Sequence, residues 1–214
     1  MLAVRRKGKH LWMELDRRPW PLFHLGMSGW LEPCRDGAPP PRFWKLDLEV
    51  DDGARLVFTD PRRLGRIRLR RDPLREPPVA GLGYDPLECL PAARDLRCLL
   101  SRRPGPVKAA LLDQSLFAGV GNWIADEALY QARLDPRRPA RSLDLEEVSR
   151  LRARVLAVVR RAVAVGADSD RFPRTWLFHH RWGRKAEART SRGERVEYLT
   201  VGGRTTAWAP SRQR

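Results

Sequence analysis

The most chemically specific stretch of this sequence is Gly119-Val120-Gly121-Asn122, which precedes a helix-like run from Trp123 to about Arg133. Glycines at 119 and 121 permit positive φ and let backbone approach a ligand closely. Asn122 stands where a helix cap is expected. The N–H groups left open at that helix start, with the helix dipole behind them, favour an anion such as phosphate. Upstream, Val107 to Asp113 follows Pro106 and predicts a short helix. A glycine pair before a helix also suits a plain connection. The whole string from Leu111 to Ala132 is far more specific.

The composition agrees with anion binding. Lys and Arg total 42 against 26 Asp and Glu, a formal charge of +16, and the pI is about 11.1. Such an excess repels itself in a compact chain, and nucleic acid is the usual partner that accounts for it. An anionic membrane or an acidic protein would also match the charge. The three cysteines, Cys34, Cys89 and Cys98, are odd in number and widely spaced. That argues against a disulfide scaffold and a cysteine zinc site, and points to a reduced cytosolic compartment. His179 and His180 are adjacent, without partners at ligand spacing, so neither metal nor cofactor is expected. No apolar run reaches membrane-spanning length.

The elements that must position these groups fall into three regions. Lys9 to Leu15, Leu22 to Leu25, Lys45 to Val50 and Arg66 to Arg70 read as strands, the last two with period-two alternation that predicts one wet face. Asp52-Gly53 is a hairpin signal, Gly37 to Pro41 a surface loop, and Pro73 to Pro78 a linker before a boundary near Gly83 to Pro86. Leu143 to Val165 carries an apolar stripe at helical spacing, with Asp144 and Glu147 as its N-terminal cap. Its arginines, Arg150, Arg152, Arg154, Arg160 and Arg161, read mainly as solvated surface. Arg195 to Val201 and Arg204 to Ala209 are strand-like, joined by Gly202-Gly203.

The string around Gly119 to Asn122 resembles the helix-two-turn-helix of the formamidopyrimidine-DNA glycosylase and endonuclease VIII family. Other motifs follow in family order: Arg5-Arg6-Lys7-Gly8-Lys9-His10-Leu11, His24-Leu25-Gly26-Met27-Ser28-Gly29, Thr59-Asp60-Pro61-Arg62-Arg63-Leu64-Gly65, and Gly203-Arg204-Thr205-Thr206-Ala207-Trp208. The resemblance implies an α+β protein with an incomplete N-terminal antiparallel β-sandwich (1–82), a helix-two-turn-helix domain (83–172) and a C-terminal zincless β-hairpin (173–214). It implies a base-excision repair glycosylase with abasic-site lyase activity on oxidised purines such as formamidopyrimidines. The implied partner is damaged double-stranded DNA, bound by a monomer in the bacterial cytosol or nucleoid, with no membrane involved.

By the same resemblance, Met27 fills the gap left by an extruded nucleotide and Arg62 pairs with the orphaned base, with Arg63 beside it. A flexible apolar wedge and a planar guanidinium suit those tasks. Lys9, Lys108, Gly121, Asn122 and Arg204 match positions that hold phosphates around the lesion.

Two departures qualify the resemblance. The family's nucleophile is an N-terminal proline amine followed by glutamate, whereas this chain reads Leu2-Ala3, so no residue here inherits that role. Either the catalytic start lies upstream of Met1, or the chain binds lesions without excising bases. Lys9 remains a candidate weak amine. The second departure is the finger. No cysteine follows Cys98, so the hairpin is expected to hold by strand pairing and packing, with Trp176, Trp182, Tyr198 and Trp208 as candidates. This resembles the zincless-finger branch. A ribosomal or other RNA-binding role is disfavoured, because A-form RNA does not call for a stack-filling wedge.

Overall fold

The computed structural model describes residues 1–34, 37–49, 53–184 and 187–214. The chain divides into two compact units, Met1–Gly81 and Leu82–Arg214.

Among the described residues, unit 1 is built from seven antiparallel strands. They are β1 (Ala3–Lys7), β2 (His10–Glu14), β3 (Trp20–His24), β4 (Trp30–Cys34), β5 (Trp44–Glu49), β6 (Arg55–Thr59) and β7 (Arg66–Arg70). One sheet runs β1-β2-β3-β7 and the other β4-β6-β5. Their apolar residues supply a small core: Trp12 and Met13 from β2, Leu22 and Phe23 from β3, and Val57 and Phe58 from β6 are all buried. The two sheets meet where the Phe23 and Phe58 rings pack edge to face, 6.3 Å between centroids. The alternation in β7 does not produce the expected dry face, because β7 is an edge strand and Leu69 is 60% exposed. The Asp52-Gly53 hairpin signal includes residues outside the described ones, as does Val50 at the end of the β5 alternation.

Unit 2 is helical with a terminal hairpin. Its elements are α1 (Ala93–Ser101), α2 (Val107–Leu112), α3 (Asn122–Ala132), α4 (Leu145–Ala164), β8 (Glu197–Val201) and β9 (Arg204–Trp208). In α4 the Asp144 carboxylate accepts from the Glu147 N–H while Glu147 accepts from the Asp144 N–H, the reciprocal cap expected from that pair. The α4 stripe of Val148, Leu151 and Val155 closes a core with Leu96 and Leu100 of α1, Leu111 of α2 and Leu129 of α3. The helix α1 was not anticipated. Between β8 and β9, Gly202 and Gly203 take φ of 58° and 71°, as a two-residue primed turn requires. A Cβ on Gly202 would stand 3.1 Å from the Ala109 side chain, so this turn rests on α2. The segment 173–214, expected as a separate region, lies within this second unit.

Candidate nucleic-acid interface

In unit 1 two loops carry the candidate intercalating residues, and their backbones touch. A Cβ on Gly26, whose φ is +67°, would lie 2.8 Å from Gly65 N and from the Leu64 carbonyl carbon. Only glycine permits that approach at positive φ. Asp60, buried at the head of the second loop, ties the two together. Its carboxylate accepts from Ser28 Oγ at 2.7 Å, Gly65 N at 2.6 Å and Arg62 N at 3.2 Å. Those bonds, led by the Gly65 N–H, hold the Asp60 carboxyl below the usual aspartate range. With its base so fixed, Met27 stands 73% exposed, and Arg62, Arg63 and Leu64 are exposed on the neighbouring loop.

Lys9, between β1 and β2, lines a cavity of about 300 Å³ with Arg6, His24 and Gly26. The His10 and His24 rings pack 5.0 Å apart beside it. Burial, then His24, Arg68 and Lys9 nearby, push the His10 imidazole down to about 4. Burial, then Lys9, Arg68 and Arg66, lower His24. His10 is thereby neutral at pH 7, and the shift of His24 runs in the same direction.

In unit 2 the turn at 113–121 is pinned from several sides. Gln114 donates to the carbonyls of Leu112 and Val120, both at 2.9 Å, and accepts from Gly119 N at 3.1 Å. Gly83 N donates to Gln114 O at 2.9 Å and Tyr84 N to Leu116 O at 3.0 Å. A Cβ on Gly83 would sit 2.3 Å from Ser115 O. The helix cap is one residue earlier than expected. Gly121 holds the N-cap position and Asn122 is the first residue of α3. The Asn122 amide instead donates to Thr205 O of β9 at 2.9 Å, because the hairpin lies against this helix start.

Lys108 also reaches Thr205. Its ammonium is buried, donates to Thr205 O at 3.0 Å and to Thr206 Oγ1 at 2.7 Å, and pairs with Asp126 at 2.7 Å. Burial pulls its pKa down, against the attraction of Asp126. In this arrangement Lys108 supports the hairpin from beneath. The exposed cations beside it are Arg204, at the start of β9, and Arg184, which donates to Thr205 Oγ1 at 2.6 Å. Lys108, Asn122, Arg184 and Arg204 thus converge on one corner of unit 2, next to the open N–H groups of α3.

Asp126, Arg181 and Glu127, which the sequence did not single out, hold that corner. Asp126 pairs with Arg181 at 2.7 Å as well as with Lys108, and accepts from Ala207 N of β9 at 3.1 Å. Glu127 accepts from Phe178 N and from Gln131, both at 2.8 Å. Burial drives its carboxyl up to about 7 despite those donors. The aromatic residues expected to hold the hairpin are distributed differently. Trp176 packs on Phe172 and Trp123, Trp182 is largely exposed, and Trp208 is buried beneath Arg137. Tyr198 donates to His180 O at 3.2 Å. Small residues, Ala207 and Ala209, with Val196, Leu177 and Tyr130 form the hairpin's apolar seat. Buried ion pairs therefore join strand pairing and packing. Among the described residues no cluster of three or more His, Cys, Asp and Glu could hold a metal ion.

Family models match both units. The model of the formamidopyrimidine-DNA glycosylase N-terminal domain matches residues 1–67, and that of the formamidopyrimidine-DNA glycosylase H2TH domain matches 82–173. A formamidopyrimidine-DNA glycosylase of Arabidopsis thaliana is 38% identical over 227 residues, covering 100% of this chain and 58% of the relative. One from Laribacter hongkongensis is 34% identical, covering 99% of this chain and 81% of the relative. The chain thus spans little more than half of the plant relative. Among solved structures, MutM (Fpg) from Thermus thermophilus superposes with a TM-score of 0.82 at 37% identity, covering 99% of this chain and 82% of that one. Lactococcus lactis Fpg, in complex with DNA containing an abasic site, shares the fold with a TM-score of 0.84 at 24% identity, covering 99% and 81% of the two chains. This chain belongs to the formamidopyrimidine-DNA glycosylase family.

Proposed function

We propose that this chain grips damaged double-stranded DNA in base-excision repair, as part of a glycosylase with abasic-site lyase activity on oxidised purines such as formamidopyrimidines. The observation that carries the reading is the exposed Met27 side chain on a loop fixed by Asp60 and by the Gly26–Gly65 contact. A soluble unit gains nothing from an unsupported apolar tip on a rigid base, whereas a wedge needs both properties. Arg62, on the partner loop, supplies donors for the base left unpaired, and Arg63 stands beside it. Lys9 in unit 1, and the α3 start with Gly121, Asn122 and Arg204 in unit 2, supply phosphate donors. Lys108 contributes by holding Thr205 and Thr206 beneath Arg204. The hairpin does its work without zinc, as in the zincless-finger branch. No residue of these sites is assigned the nucleophile.

Binding to a duplex containing an abasic analogue, against the undamaged duplex and an RNA duplex, tests this. Strong preference for the abasic duplex is expected, reduced by Met27→Ala and Arg62→Ala. Equal affinity for all three would sink the reading. Arg204→Ala should weaken both DNA duplexes and flatten the salt dependence by about one unit of slope. Borohydride trapping on abasic-site DNA separates lyase activity from binding alone. An adduct lost in Lys9→Ala would identify Lys9 as a slow amine.

A further inference from the structure

The far end of α3 carries a second cationic site. Tyr130, Arg133, Arg150, Arg154, Arg192 and Arg212 line most of a cavity of about 340 Å³, confined to unit 2. It opens at the C-terminal end of α3, whereas Asn122 and Thr205 meet at the N-terminal end. Eleven residues of helix put the two ends about 15 Å apart.

Two of the arginines are held in place by backbone. Arg150 Nε donates to Ala132 O at 2.9 Å and its Nη1 to Glu146 at 3.1 Å. Arg212 Nε donates to Tyr130 O at 3.3 Å and its Nη1 to Glu194 at 3.3 Å, with the guanidinium 4.8 Å over the Tyr130 ring. Glu194 is itself shared with Tyr130 and Thr190. Arg133, Arg154 and Arg192 are exposed and, among the described residues, make no ion pair with a carboxylate. Five guanidinium groups therefore surround one cavity, and two of them are paired with carboxylates.

Like charges gathered around a concavity repel, and a bound anion relieves that repulsion. Planar guanidinium forks match phosphate oxygens in pairs, and two forks already anchored lose less freedom on binding. We propose that this cavity is a second phosphate-binding site, independent of the grip at the α3 N-terminus. The ligand is a phosphate ester or phosphoanhydride anion. Its two possible sources are the backbone of another nucleic-acid segment and a free oligophosphate.

Calorimetry with tripolyphosphate on the full chain tests the proposal. Saturable binding is expected, weakened at least about tenfold in Arg154→Ala/Arg192→Ala and unchanged in Arg94→Ala/Arg97→Ala, two exposed arginines of α1. Both arginines of the first double variant are exposed, so the fold should survive, and its thermal unfolding should match the parent. A second arm titrates the chain, already saturated with an abasic-analogue duplex, with an undamaged duplex. Uptake of a second duplex that depends on Arg154 and Arg192 identifies backbone phosphate as the source. Uptake of tripolyphosphate alone identifies a free oligophosphate. No saturable binding, equal loss in Arg94→Ala/Arg97→Ala, or equally tight binding of an oligoglutamate peptide overturns the proposal.

Discussion

Asp60 in unit 1 and Asp126 in unit 2 are both buried carboxylates with three donors, yet they organise their surroundings in different ways. Asp60 accepts from two backbone N–H groups and one hydroxyl. The N–H donors are its near neighbours in sequence, and Ser28 comes from the adjoining loop. Asp126 accepts from two cations and one N–H, drawn from α2, the segment before β8, and β9. A carboxylate satisfied by neutral dipoles stays anionic and shapes a loop while the arginines around it face solvent. A carboxylate satisfied by cations joins segments remote in sequence and removes those cations from solvent. The first device displays charge, and the second consumes it.

The sharpest test removes the second device. Asp126→Ala leaves Lys108 and Arg181 buried without their anion, a loss of about 3–5 kcal/mol in unit 2. Hydrogen exchange should accelerate across β8 and β9 while the amides of unit 1 keep their protection. Unchanged protection in the hairpin would refute the role given to Asp126.

The next effect comes from pH. Glu127 in the fold titrates near 7 rather than its usual 4.5. Unit 2 therefore binds more protons than its unfolded chain between those values. The corresponding stability is fully present below 4.5 and is lost as pH rises through about 7, amounting to roughly 3 kcal/mol. Glu127→Gln should flatten that dependence in unit 2, read by unfolding from pH 4.5 to 8. A variant with the same slope as the parent would exclude Glu127 as its source.

Unit 1 is tested through the close approach at its loops. Gly65→Ala places a Cβ 2.6 Å from the Phe58 ring. Forcing that ring aside should destabilise unit 1 by about 1–3 kcal/mol and lower the preference for abasic duplex. Loss of stability without loss of preference would separate the loop from damage recognition. The smallest effect is the pH response of His10, opposite in sign to that of Glu127 and weakened by solvent screening of a half-buried ring. Its fold value near 4 lies below the usual 6.5. Its contribution is present above 6.5 and disappears as pH falls through about 4. His10→Gln should weaken that acid sensitivity in unit 1, followed by hydrogen exchange in β2 and β3.

What could be read in the sequence follows the same division between local and remote contacts. The cap and stripe of α4, the Gly202-Gly203 turn and the β2 strand depend on neighbours within a few residues, and each was legible there. The bonds of Asp60 to Arg62 N and Gly65 N are equally local, but that segment was legible only through its likeness to a family loop, not as a carboxylate-bound turn. The pairing of Asp126 with Arg181 spans 55 positions, and no pattern in either neighbourhood announces it. Lys108 illustrates the gap. Its type fitted phosphate contact, but its burial depended on Thr205 and Thr206 nearly a hundred residues on. The helix α1 was missed for another reason: Ala93–Ser101 is short, lies between prolines and lacks a side-chain cap.

Asp126 also limits how the molecule can be recombined. Its three donors come from three separate stretches of chain, so the hairpin cannot be transplanted alone. A graft that brought β8 and β9 without Arg181, or onto a helix lacking the acid at position 126, would strand a buried charge on one side of the joint. Exchange of fingers between relatives, whether by a laboratory chimera or by descent, has to move helix and hairpin together.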